Sequence, residues 1–129
     1  SHKQVMRKIL IIDNQKWIVE LYYKALHCDS YLVVVAPDAV RAMEYIKTDR
    51  FDLVLLSLSL KNGYHVWNVL KDIKMSATNL PVIILAAYDN YLYAPELDLA
   101  DSYVLRSWSA AEELRQKVNA ILRASKTPL

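Results

Sequence analysis

A serine hydroxyl attacks phosphorus or carbon only when a neighbouring base removes its proton. Ser57 is the first residue to test in this way, because it ends the apolar run of residues 51–57 (FDLVLLS). Asp13 and Asn14 close a second apolar run, residues 7–12 (RKILII), and Asp13 is the one carboxylate in view as a base. With no histidine or second carboxylate evident beside it, Ser57 reads more plainly as a small polar residue closing a buried strand than as a nucleophile or a phosphoserine site. His27, Cys28 and His65 bear metal-binding side chains, but their spacing matches no standard ligand pattern, and we assign no metal to them. Gly63 is the only glycine, where average usage of about 7% would give roughly nine. Phosphate-cradling loops need several glycines, so the P-loop and the dinucleotide fingerprint are both absent, and a nucleotide or flavin enzyme is disfavoured.

These residues need a frame to hold them. At 129 residues, with 54% hydrophobic and 23% charged, the chain is long enough for one domain with a real core. Its formal charge of +2 is too small to argue for nucleic acid or a membrane surface. No apolar run approaches the roughly 20 residues that span a bilayer, no secretory signal opens the sequence, and the lone Cys28 fits a reducing compartment. We therefore expect a cytoplasmic protein.

Short runs rich in Val, Ile and Leu, too short for helices, read as strands covered on both faces. They fall at residues 7–12, 31–36, 51–57 and 80–87, with a more polar edge strand at 101–105. Between them lie helical periodicities. Asn14 is positioned to cap the first, with Ile18, Leu21, Tyr22 and Ala25 on one face. Pro37 and Asp38 open the second, over Ala39, Ala42, Met43 and Ile46. Val66, Val69, Leu70 and Ile73 mark the third. Residues 88–99 hold Pro95 and little periodicity, which predicts a loop with a short irregular helix. Ser109, with Glu112 three residues on, caps a last helix whose Leu114, Val118, Ile121 and Leu122 face inward. Strict alternation of this kind predicts a doubly wound α/β fold: a five-stranded parallel sheet in flavodoxin-like order 2-1-3-4-5, in three α/β/α layers. The expected core runs over 7–124, with 125–129 a tail or linker stump of a single domain. In such sheets sites gather at the carboxyl ends of the strands, where Ser57 and Asp13 both stand.

With KILIIDN, FDLVLLSLSL, LPVIILAA and ADSYVLRSW in this order, nearly the whole chain resembles the receiver domain of bacterial two-component response regulators. The resemblance implies a site in which a rim aspartate accepts a phosphoryl group from a histidine kinase, with a divalent metal held by it and an acidic pair. Carried over by position, the phosphoacceptor is Ser57, the acidic pair is Asp13 and Asn14, and the switch threonine or serine is Ala86. The family's lysine falls on Arg106, the proline after it on Ser107, and the aromatic switch on Tyr103. Lys61 and His65 stand where the family has a proline and a glycine. Magnesium prefers octahedral oxygen ligands with one or two carboxylates, and here three carboxylates are reduced to one, so its binding is expected to be weak or absent. Ala86 offers no hydroxyl, and the guanidinium of Arg106 does not replace an ammonium conservatively. Asp13 either pairs with Arg106 or serves as a helix-start carboxylate.

The resemblance and its departures together imply a degenerate receiver, or pseudo-receiver: a non-enzyme that acts in signal transduction as a phosphorylation-independent protein-interaction module. The alternatives are a phosphorylation-switched response regulator of a phosphorelay and a small-ligand sensor using the vestigial pocket. Expected partners are a protein or an effector domain, with a homodimer as one arrangement, and neither nucleic acid nor membrane for this domain alone. The chain has nine tyrosines and three tryptophans. Tyr91, Tyr93, Leu97 and Trp108, with Tyr103, are the interface candidates, since the family commonly makes contacts through its fourth helix, fifth strand and fifth helix; the plainer alternative is that these rings fill space left by a shortened helix.

Overall fold

The structure, a computed structural model, describes residues 6–58, 66–86, 94–105 and 110–124. Strands β1 (Lys8–Ile12), β2 (Leu32–Ala36), β3 (Leu53–Ser57), β4 (Val82–Ala86) and β5 (Ser102–Leu105) alternate with helices α1 (Lys16–Cys28), α2 (Ala39–Thr48), α3 (Val66–Ser76) and α4 (Ala110–Ala124). A single 3₁₀ turn, Pro95–Leu99, stands between β4 and β5 among the described residues. All strand pairs are parallel and the order is β2-β1-β3-β4-β5, the doubly wound flavodoxin-like arrangement expected from the alternation.

The period-2 geometry of the strands explains why their apolar runs are continuous. Leu10, Ile12, Val54, Leu56, Val82, Ile84 and Ala86 enter one core with Ala39 and Ala42 of α2 and Val66, Trp67, Val69, Leu70 and Ile73 of α3. The alternate residues Ile9, Ile11, Leu53, Leu55, Ile83, Leu85 and Val104 enter the other, with Ile18, Tyr22 and Leu26 of α1 and Leu114, Val118 and Leu122 of α4. Each fully buried aliphatic chain contributes about 1.5–3 kcal/mol relative to exposure, so both faces are needed to hold the central strands. β3 is buried at all five positions, whereas β5 at the sheet edge is buried only at Val104.

Two local expectations are corrected. The N-cap of α1 is Gln15 rather than Asn14; its backbone is extended and its side chain makes no capping bond. Asn14 is exposed, and the Gln15 N–H donates to Asp13 Oδ1 at 3.0 Å in an Asx-type turn that leads into the helix. The inward face of α1 is also rotated. Ile18, Tyr22 and Leu26 are buried, while Leu21 is 42% exposed. At α2 the expected cap is present, with Asp38 Oδ1 accepting from the Arg41 N–H at 2.8 Å. Ser109 and residues 125–129 lie outside the described residues.

Candidate functional site

Three adjacent strands bring the candidate residues to one edge. Ile12 is in register with Leu56, so Asp13 follows β1 beside Ser57, the last residue of β3. Ser57 is in turn in register with Leu85 of β4, one residue before Ala86. Ala86 is paired with Leu105 of β5, the residue before Arg106. Asp13, Ser57 and Ala86 therefore share the carboxyl edge of the sheet, where parallel α/β folds carry their sites.

Their environments differ from those of an open catalytic rim. Ser57 is fully buried and Asp13 is 1% exposed. Ser57 is not left without a partner. The Asp13 backbone N–H donates to the Ala36 carbonyl at 3.1 Å, fixing the turn out of β1 against the end of β2. Its Oδ1 accepts from Gln15, but Oδ2 is buried with no hydrogen-bond partner among the described residues, and so is Gln15 Oε1. Gln15 was not singled out from the sequence. The signal that could have found it is the Asp-x-Gln spacing, since an aspartate side chain commonly bonds the backbone two residues on. Among the described residues, no group of three or more His, Cys, Asp or Glu side chains is placed to hold a metal ion.

On β5, Tyr103 is 39% exposed, with Lys117 Nζ of α4 4.9 Å from its ring centroid and donating to its carbonyl oxygen. Leu97, in the 3₁₀ turn, is half-buried and packs against the core on the α3 side. Arg106, Trp108, Tyr91, Tyr93, Lys61, His65 and Ser107 lie outside the described residues.

The displaced titrations lie elsewhere, at the amino edge of the sheet. Arg115 donates from Nε to Asp29 Oδ2 at 3.0 Å and from Nη2 to Oδ1 at 2.8 Å. That guanidinium holds the Asp29 carboxyl below its usual value against a smaller opposing effect of burial, with Asn119 adding a further bond. Asp49 is lowered by its bond to Lys8 and by the Arg50 backbone N–H, and Tyr31 is raised chiefly by burial. Lys74 Nζ bridges the Leu80 carbonyl and Asp101 Oδ2, both at 2.8 Å, and Asp101 Oδ2 also accepts from the Val82 N–H at 2.8 Å. These pairs fasten loops; they surround no common pocket with Ser57.

A family model described as the response regulator receiver domain matches residues 9–119. The chain is 30% identical over 121 residues to the response regulator MprA of Mycobacterium ulcerans, covering 92% of this chain and 51% of that protein. It is 31% identical over 129 residues to the transcriptional regulatory protein DltR of Streptococcus agalactiae, covering 95% and 57%. The chain thus spans about half the length of these curated relatives. Among solved structures it is similar to the response regulator TrrA of Thermotoga maritima in complex with Mg²⁺–BeF, with a TM-score of 0.83, 28% identity and coverage of 90% of this chain and 99% of that one. TrrA is similarly matched in its complex with the histidine kinase ThkA, with a TM-score of 0.82, 28% identity and coverage of 91% and 99%.

Proposed function

The chain belongs to the response regulator receiver domain family, a family of signalling domains rather than enzymes, and within it we propose that this domain works as a phosphorylation-independent protein-interaction module. The observation that carries the reading is the burial of Ser57 at the phosphoacceptor position. A phosphoacceptor must meet its donor, and this hydroxyl is fully enclosed, with one carboxylate, Asp13, beside it at the carboxyl edge among the described residues.

The magnesium that the family's chemistry uses fits these residues poorly. A hydrated Mg²⁺ needs room for several waters around one or two carboxylates. Here Asp13 Oδ2 is buried, Asn14 is uncharged and exposed, and the Ala86 side chain has no oxygen to offer. We therefore read Asp13, Asn14, Ser57 and Ala86 as a relict pocket that supports no metal-dependent step. The single domain then has its core at 7–124 and contributes surface rather than phosphotransfer. Candidate partners are a histidine kinase, of the kind that binds TrrA, and an effector region of the sort implied by the greater length of the relatives. A cytoplasmic setting follows from that role.

The test is phosphorylation by acetyl phosphate or carbamoyl phosphate with magnesium, read by intact mass. No adduct is expected. A base-labile adduct of about 80 Da (HPO₃) would mean that an acyl phosphate forms and would replace this reading with a switched response regulator. A second reading, small-ligand sensing, is favoured by the two buried acceptors Asp13 Oδ2 and Gln15 Oε1, which lack donors among the described residues. A mass-resolved ligand retained by the native protein and lost in Asp13→Ala would establish it.

A further inference from the structure

A parallel ladder uses the backbone groups of alternate residues on each strand, so a strand at the side of a sheet leaves every second residue unpaired. β2 is such a strand, flanked by β1 alone. The Leu32 N–H donates to the Arg7 carbonyl at 2.9 Å, and the Ala36 carbonyl accepts from the Asp13 N–H at 3.1 Å. With Leu32 in register with Lys8 and Ala36 with Ile12, this phase turns the backbone groups of Leu32, Val34 and Ala36 toward β1. Val33 and Val35 therefore direct their N–H and C=O groups to the open side, where no backbone partner meets them among the described residues. Native sheets blunt such a side with a lysine, a proline or a bulge. β2 has none of these: its five residues are apolar, its register with β1 is unbroken, and Leu32 is 46% exposed.

We propose that β2 pairs with β2 of a second copy, antiparallel about a two-fold axis at Val34, joining two five-stranded sheets into one. The strand selects its own copy because this register leaves nothing over. Val33 lies opposite Val35 of the other copy, and Val35 opposite Val33. Each such pair exchanges both hydrogen bonds, so every outward group of the two residues is matched. Val34 faces Val34 at the axis and Leu32 faces Ala36, all of them apolar pairs. No like charges meet, since the nearest charged residues along the chain, Asp29 and Asp38, fall opposite Ala39 and Ser30. The ladder also ends itself, because the next pair sets Tyr31 against Pro37. The Tyr31 N–H is already given to the Leu26 carbonyl at 3.3 Å, and proline has no N–H to give. Each molecule contributes one β2, so the contact closes as a dimer. It deepens the interaction-module reading, and rests on it, by naming a partner. Asp13 and Ser57 at the carboxyl edge take no part, so loss of this contact and appearance of a phosphoryl adduct are separate results.

Sedimentation equilibrium up to about 1 mM, where contacts with Kd near that value fill, combined with amide hydrogen exchange on the same chain, tests the inference. The average mass should rise toward that of a dimer and no further. The Val33 and Val35 amides should exchange fast in dilute protein and slow in step with the dimer fraction, while those of Leu32, Val34 and Ala36 stay protected throughout. Val33→Pro removes only an outward N–H, at a position where a strand at the side of a sheet tolerates proline. Leu32→Lys sets a charge on an exposed position. Both should abolish the dimer while circular dichroism and a cooperative melt still report a folded protein. A wild type that stays monomeric over the whole range would overturn the proposal. So would a dimer whose Val33 and Val35 amides exchange as fast as in dilute protein, since the contact would then lie on another face. Slow exchange of those amides in the monomer would overturn it too, because another segment would then cover β2.

Discussion

Ser57→Asp puts a carboxylate back at the acceptor position, yet it is expected to restore no function. The new charge would enter a fully buried position beside Asp13, where desolvation and a like charge both favour its neutral form. Asn14 supplies no third carboxylate and Ala86 no hydroxyl. Magnesium titrated against tryptophan fluorescence in the presence of beryllofluoride should therefore fail to saturate at sub-millimolar metal, with gain only after Asn14→Asp and Arg106→Lys are added. Saturation by the single variant would show a more intact pocket. Ser30 is a second residue-scale case. It holds φ 65° just after α1, a left-handed conformation that costs a residue with a Cβ about 1–2 kcal/mol, partly offset by the greater unfolded-state entropy of glycine. Ser30→Gly should stabilise the protein by up to about 1 kcal/mol in urea unfolding.

Among the elements, α2 shows how a local signal becomes energy. Its first turn leaves backbone N–H groups without intrahelical partners, and the Asp38 carboxylate accepts one of them from Arg41. Asp38→Ala should lower stability by about 1 kcal/mol, and Asp38→Ser should recover most of the loss. Urea midpoints at neutral pH, compared at equal slope, would separate the two. Helix α1 has no such side-chain cap, because Asp13 is drawn into the turn before it. The reading of Asn14 as a cap fails because the helix begins one residue later than it requires, with Gln15 at the cap position.

At the scale of the whole molecule, the pair of Asp29 and Arg115 ties the end of α1 to α4 across 86 positions of sequence. The folded carboxyl titrates below its unfolded value near pH 4, so its contribution is fully present above that pH. It is lost as the pH falls through the lower folded value. Asp29→Asn should thus be less stable than the wild type at pH 7, with the gap closing in acid below about pH 4. Thermal melts across that range would check it; a gap independent of pH would show that the carboxylate's charge contributes nothing. This tie was invisible in the sequence, as was the Lys117 ammonium over Tyr103, because in each case the two partners lie on different elements and meet only when those elements pack. By itself the sequence determined the strands, their order and the edge at which Asp13 and Ser57 meet, while Ala86 was placed there by the family resemblance. Those follow from apolar periodicity and from the handedness of strand–helix–strand connections, both properties of neighbours along the chain. Only the tertiary structure decided that Ser57 is enclosed, that α1 turns Trp17 and Leu21 outward, and that α2 and α3 leave a groove between them. Burial and open surface depend on how distant elements pack against one another, and the rotation of a helix by a fraction of a turn changes which of its apolar residues is core and which is surface.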